Sequence, residues 1–211
     1  MNFVVKTFFN RNIFASNLYV LSSDFWNILI DPSFFDDEVK KYLDGIGGLD
    51  AILITHGHAD HIRATDEFVK NFPNVKIYVH SLDVELLHDI WLNCSLRVWN
   101  EKIIINSACE KIEEWNITIL WYDIQVFSFQ WHTYWSVMYY FPEQKILFMW
   151  DTIMSDSVWT PDIPTGDVKL LMQSVQKFKA LWLPGDTICY PWHGKSILYV
   201  DILKNNPYLN L

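Results

Sequence analysis

The chain has 211 residues, 51% hydrophobic and 19% charged, a composition that supports a folded core and excludes a disordered polar chain. Its 16 Lys and Arg face 25 Asp and Glu, a formal charge of −9 with no basic run, which argues against a nucleic-acid partner. Apolar runs such as Ile146–Trp150 are too short to span a membrane, the N-terminus has no signal-peptide pattern, and three unevenly spaced cysteines make no disulfide framework, so a single cytoplasmic domain over 1–211 is expected.

In chain order, Val4–Phe9, Asn17–Leu21 and Trp26–Ile30 read as short strands, the last closed by Asp31-Pro32. Phe34–Leu43 sets Asp36, Asp37, Glu38 and Lys40 against apolar Phe35, Val39 and Leu43, the pattern of a surface helix. Glycines at 45, 47 and 48 end it, and Ala51–Thr55 is a buried strand. Asp66–Asn71 and Leu82–Ile90 read as helices around a strand at Lys76–Val79. Residues 93–116 carry little pattern. Strands are expected at Thr118–Leu120, Ile124–Phe129, Ser136–Phe141 and Lys145–Met149, with a hairpin turn at Phe141–Gln144. A helix over Val168–Phe178, a strand over Thr187–Tyr190 and a helix over Ser196–Leu203 complete the chain. Strands with interspersed helices imply sheets covered by helices.

The strand Ala51–Thr55 runs directly into His56-Gly57-His58-Ala59-Asp60-His61. Imidazole and carboxylate are the ligands of zinc and of ferrous iron. In an extended loop residues i and i+2 point the same way, so His56 and His58 can grip one ion. Asp60 and His61 follow as the chain turns and can face a second. A single histidine here would read as a surface loop residue; four ligating side chains within one short loop do not. Three further candidates stand where later strands run out: His132 beside Thr133, Asp151 beside Thr152, and His193 before Gly194. A sheet scaffold gathers distant residues in this way.

These segments resemble the metallo-β-lactamase superfamily, nearest to its small glyoxalase II-like metallohydrolases. The family pattern T-H-x-H-x-D-H appears as Thr55–His61, P-G-H-T-x-G-S as Gln130–Ser136, F-x-G-D-T as Phe148–Thr152, and P-G-H-G as Pro191–Gly194. The resemblance implies the αββα four-layer sandwich, an α+β architecture. It implies two divalent ions, zinc first with iron or manganese as the other candidates. Site one would be His56, His58 and His132, site two Asp60, His61 and His193, with Asp151 bridging. Asp60 and Asp151 would be the catalytic carboxylates, Thr133 and Thr152 supporting donors. The implied reaction is hydrolysis of a small-molecule acyl-thioester such as S-lactoylglutathione. Longer relatives hold glutathione with a C-terminal helical segment; only 194–211 follow His193 here, which points to a smaller thioester. An iron-dependent persulfide dioxygenase, a lactone or β-lactam hydrolase, and a non-enzymatic binding module are the other readings.

Eleven Trp accompany only seven Gly, where average usage predicts about fifteen Gly. Trp131, Trp135, Trp150 and Trp192 each stand in a glycine slot of the family patterns. Trp115, Trp121 and Trp159 also sit where a turn glycine is natural, Trp26 and Trp99 less clearly so, and Arg63 replaces another usual glycine. Indole adds bulk where glycine serves tight turns and close approach. One reading is a Trp-rich member whose site is reshaped or impaired. The other is a gene in which UGA means glycine and has been read as tryptophan.

Overall fold

The structure is a computed structural model that describes residues 3–10, 16–149, 153–154, 157–158 and 167–210. The chain divides into two compact units, the first ending at Ile112 and the second beginning at Glu113.

The first unit is built on a six-stranded mixed sheet. Strands β1 (Phe3–Phe9), β2 (Asn17–Ser23), β3 (Asn27–Ile30), β4 (Ala51–Leu53), β5 (Lys76–His80) and β6 (Glu110–Ile112) lie side by side in sequence order. The first two pairings are antiparallel and the last three parallel. Strands β3 and β4 are buried on both faces, which is why they read as continuous apolar runs rather than alternating ones. Leu18, Val20, Leu29, Ile52 and Ile77 pack with Val39 and Leu43 of α1 (Asp37–Gly45) and Phe68 of α3 (Thr65–Asn71). Each such side chain contributes roughly 1.5–3 kcal/mol when fully buried.

Helix α1 starts three residues later than its apolar pattern suggests, because the Asp36 carboxylate caps it by accepting the Val39 N–H at 2.9 Å. Between β4 and α3 lies a four-residue helix, α2 (Ala59–Ile62), too short to carry a period. The helix expected at Leu82–Ile90 is a 3-10 helix over Ser81–Leu87. The weakly patterned stretch holds α4 (Ser95–Trp99) and β6.

The second unit has its own six-stranded mixed sheet, ordered β12-β11-β10-β9-β8-β7. Its strands are β7 (Trp115–Ile119), β8 (Tyr122–Phe129), β9 (Ser136–Phe141), β10 (Ile146–Phe148), β11 (Ile188–Tyr190) and β12 (Ile197–Leu198). β10 and β11 are parallel and the other pairs antiparallel. Strand β7 begins earlier than the expected Thr118–Leu120, and Leu120 belongs to the turn. The last helix, α6 (Tyr199–Asn205), starts after β12 has used residues expected to be helical. Helix α5 (Val168–Lys179) is capped by Asp167, whose carboxylate accepts the N–H groups of Lys169 and Leu170 at 2.7 and 3.0 Å. Its Leu171, Val175 and Phe178 pack on Phe129, Met138, Tyr140 and Leu147, with Tyr199 and Ile202 of α6 in the same cluster.

Candidate metal centre

Strand β4 stops at Leu53, and the chain past it is held by two buried carboxylates. Asp31, at the end of neighbouring β3, is 1% exposed and has φ 52°, a left-handed conformation that aspartate tolerates. Its Oδ1 accepts the Thr55 N–H at 2.7 Å and its Oδ2 accepts the Thr55 hydroxyl at 2.6 Å. The same Oδ2 lies 2.9 Å from His61 Nδ1. A carboxylate there fixes the proton on Nδ1 and leaves the Nε2 lone pair of His61 as a ligand. Asp83, fully buried in the 3-10 helix, accepts the Gly57 N–H at 2.9 Å.

Glycine at 57 is required by space. A Cβ there would lie 2.4 Å from Leu86 Cβ and 3.2 Å from the Asp83 carbonyl oxygen. The peptide between the two histidines thus lies flat against the 3-10 helix and turns both imidazoles to the other side.

The imidazoles converge. His56 Nε2 and His58 Nδ1 are 3.1 Å apart, close to the roughly 3.3 Å that two nitrogens take on one tetrahedral ion with bonds of 2.0–2.1 Å. The His56 ring centroid lies 3.9 Å from that of His61 and 4.8 Å from that of His58. Asp60, on α2, brings Oδ2 to 3.8 Å from His61 Nε2. Three buried imidazoles with a partly exposed carboxylate are the donor set of a divalent transition metal, and the residues present fit such an ion. Cys94 is near Asp60; burial first, and the Asp60 charge second, push its thiol up to about 11.

In the second unit His132 is buried on the loop after β8, its ring edge-on to the Trp131 indole at 5.3 Å between centroids. Thr133, also buried, places its hydroxyl 2.5 Å from that of Ser136. His193 is half-buried just after β11, with Trp192 buried beside it. Asp151 and Thr152 lie outside the described residues, as do Trp150 and Trp159. The structure therefore brings His56, His58, Asp60 and His61 together in the first unit and places His132 and His193 at strand ends of the second.

A family model described as the metallo-beta-lactamase superfamily matches residues 11–193. The chain belongs to that superfamily. It is 28% identical over 198 residues to a probable metallo-hydrolase of Bacillus subtilis, covering 92% of each chain. It is also 28% identical over 213 residues to a hydroxyacylglutathione hydrolase of Francisella philomiragia, covering 98% of this chain and 75% of that one. Among solved structures, the BLEG-1 B3 metallo-beta-lactamase superposes with a TM-score of 0.89 at 29% identity, over 99% of this chain and 100% of that one. TTHA1623 in a di-iron-bound form superposes with a TM-score of 0.83 at 27% identity, over 97% and 100%. The chain thus has the metallo-β-lactamase fold, as its two mixed sheets and their helices suggest, and its histidine cluster fits the superfamily's divalent metal chemistry. Among the described residues no helix is long and apolar enough to cross a membrane.

Asp31 and Asp83 escape a sequence reading. Asp31-Pro32 looks like a turn, and Asp83 like one charge among several in a mixed stretch. One signal was present for Asp31: an acidic residue where a buried strand runs out, the same signal that singles out Asp151.

Proposed function

We propose that this protein, acting as one functional domain over 1–211, is a dinuclear metal-dependent hydrolase that cleaves a small acyl-thioester in a reducing cytoplasm. The observation that carries the reading is the convergence of His56, His58 and His61 under the control of Asp31. The hydroxyacylglutathione hydrolase relative supports the thioester class. In this reading His56, His58 and His132 would hold one ion and Asp60, His61 and His193 the other, with Asp151 as a carboxylate ligand shared by both. Zinc is the first candidate, and the di-iron form of TTHA1623 supports iron as the alternative.

Two divalent ions held there would supply Lewis acidity toward the acyl carbonyl and a water made acidic enough to ionise at neutral pH. The chain's own residues do the rest. Asp31 holds the Nδ1 proton of His61, so this imidazole is correctly turned and its Nε2 is left as the ligand atom. Asp60, only partly buried, accepts the proton of the attacking water and orients it toward the carbonyl carbon. The pair Asp83–Gly57 keeps the His56 and His58 rings at fixed separation, which limits the reorganisation needed at the moment of reaction. A thiolate leaves without a separate general acid, because thiols ionise near pH 8.5. Thr133 and Thr152 are assigned as supporting hydrogen-bond donors.

The experiment is a substrate panel of S-lactoylglutathione, a smaller acyl-thioester, a lactone, a β-lactam and a phosphodiester, with and without chelator. Chelator-sensitive turnover of a thioester above all others is expected. Sulfite release from glutathione persulfide with no thioester turnover overturns the reading in favour of a dioxygenase.

A further inference from the structure

Bulky residues rarely adopt positive φ, because their Cβ crowds the following carbonyl. Among the described residues, nine that are not glycine do so, and four of those are tryptophan: Trp115 (φ 99°), Trp121 (72°), Trp131 (140°) and Trp182 (53°). The five others, Asp31, Cys94, Asn100, Leu120 and Lys145, all fall between 50° and 63°, within or at the edge of the one left-handed well open to L-residues. Trp115 and Trp131 lie well beyond it. Their company is Gly47, Gly48 and Gly194, at 94°, 108° and 88°. Trp115 and Trp131 share the φ range of these glycines.

The four positions differ in how strongly the local backbone calls for glycine. Ile119 pairs with Tyr122 across β7 and β8, leaving a two-residue turn of Leu120 and Trp121 with both φ positive. That is a type I′ hairpin turn, whose second central residue is strongly preferred to be glycine. Trp182 is the second residue past Ala180, the C-cap of α5, one beyond the usual helix-ending glycine, and its φ of 53° lies in the same well as the five others. Trp115 opens β7, and Trp131 precedes His132. Trp115, Trp121 and Trp182 are 78%, 83% and 93% exposed, so burial of the indole offsets little of the strain. Arg63 provides the contrast: it also replaces a usual family glycine, yet its φ of −57° needs none, and its guanidinium bonds Glu101 at 3.0 Å.

We infer that positions 115, 121, 131 and 182 are glycine in the protein as its own organism makes it, encoded by UGA in a host that reads this codon as glycine. The argument is independent of the proposed reaction, since three of the four positions lie outside the metal-ligand segments. It does not extend to Trp26, Trp91, Trp99, Trp135 and Trp192, which keep ordinary φ.

The gene and the protein answer together. The codons at the four positions are read, and the intact mass of protein from the native host is measured. UGA at all four, with a mass lower by the tryptophan–glycine difference at each, is the expected result; UGG at these positions overturns the inference. A second arm needs no native host. In recombinant chain, Trp115→Gly and Trp121→Gly should each raise the thermal midpoint by about 2–4 °C, while Trp91→Gly, at an ordinary φ, should lower it. A fall at either of the first two positions also overturns the inference.

Discussion

The loop Thr55–His61 in the first unit and the loop Gln130–Ser136 in the second each deliver candidate ligands from a strand end, yet they are built to different standards. In the first, the residue between the two leading histidines is one the space requires. Gly57 fits where a Cβ would collide with Leu86, and Asp31 and Asp83 accept the Thr55 and Gly57 N–H groups. In the second, His132 is preceded by a buried tryptophan at φ 140°. Among the described residues all four positive-φ tryptophans belong to the second unit, which keeps one positive-φ glycine, Gly194, while the first keeps two, Gly47 and Gly48. The candidate ligand histidines are present in both loops. Tryptophan at positive φ beside a retained histidine is what the inferred reading of UGA as glycine predicts.

The largest effect expected is at Asp31. Asp31→Ala leaves the Thr55 N–H, the Thr55 hydroxyl and His61 without their buried acceptor, and should cost about 3–5 kcal/mol in chemical denaturation. Asp31→Asn, which tolerates the left-handed backbone, should fold better but still lower metal affinity by about tenfold to a hundredfold. Equal metal binding in Asp31→Asn and wild type would remove the orienting role from the first loop. Next is Gly57→Ala, where overlap with Leu86 should cost about 1–3 kcal/mol and spread the two histidines. Trp131→Gly tests the other loop: it removes the indole packed on His132, and thioester kcat/KM should rise roughly tenfold or more. A fall instead would mean that the second loop is as well fitted to its tryptophan as the first is to Gly57.

Much of this was legible because it is local. The strands of the first unit announce themselves as short apolar runs, and the ligand loop is a contiguous pattern beginning where one of them ends. Helix α2 and β6 were not legible, since four and three residues carry no period and are held by tertiary contacts. Asp31 was hidden because its partners Thr55 and His61 are remote in sequence, so a buried acid there looks like turn punctuation. Trp121 was legible as a turn residue from Tyr122-Asp123 beside it. Trp182 was not, because Leu181 and Leu183 make it look like part of an apolar run.

Two smaller effects lie outside the loops and calibrate the scale. Burial acts to raise the Asp66 carboxyl, but the Ser107 hydroxyl and the Asn106 and Ser107 N–H groups outweigh it and hold the carboxyl below its ordinary 3.8. A carboxylate depressed in the folded state stabilises above its unfolded value, and that stabilisation disappears as pH falls through the folded one. Asp66→Ala should therefore cost about 1–2 kcal/mol at neutral pH, with the difference from wild type closing below about pH 3.8. The exposed pair Lys40–Asp44, at 2.6 Å on α1, should matter least: Lys40→Ala is expected to change stability by no more than about 0.5 kcal/mol.

The proposed function depends on bound metal, and elemental analysis of the purified, folded chain tests it most directly. The account predicts about two divalent transition-metal ions per chain, zinc or iron, falling sharply in Asp31→Ala and in His132→Ala alike. Metal-free protein with native circular dichroism, prepared without chelator and taking up neither ion on addition, would contradict it.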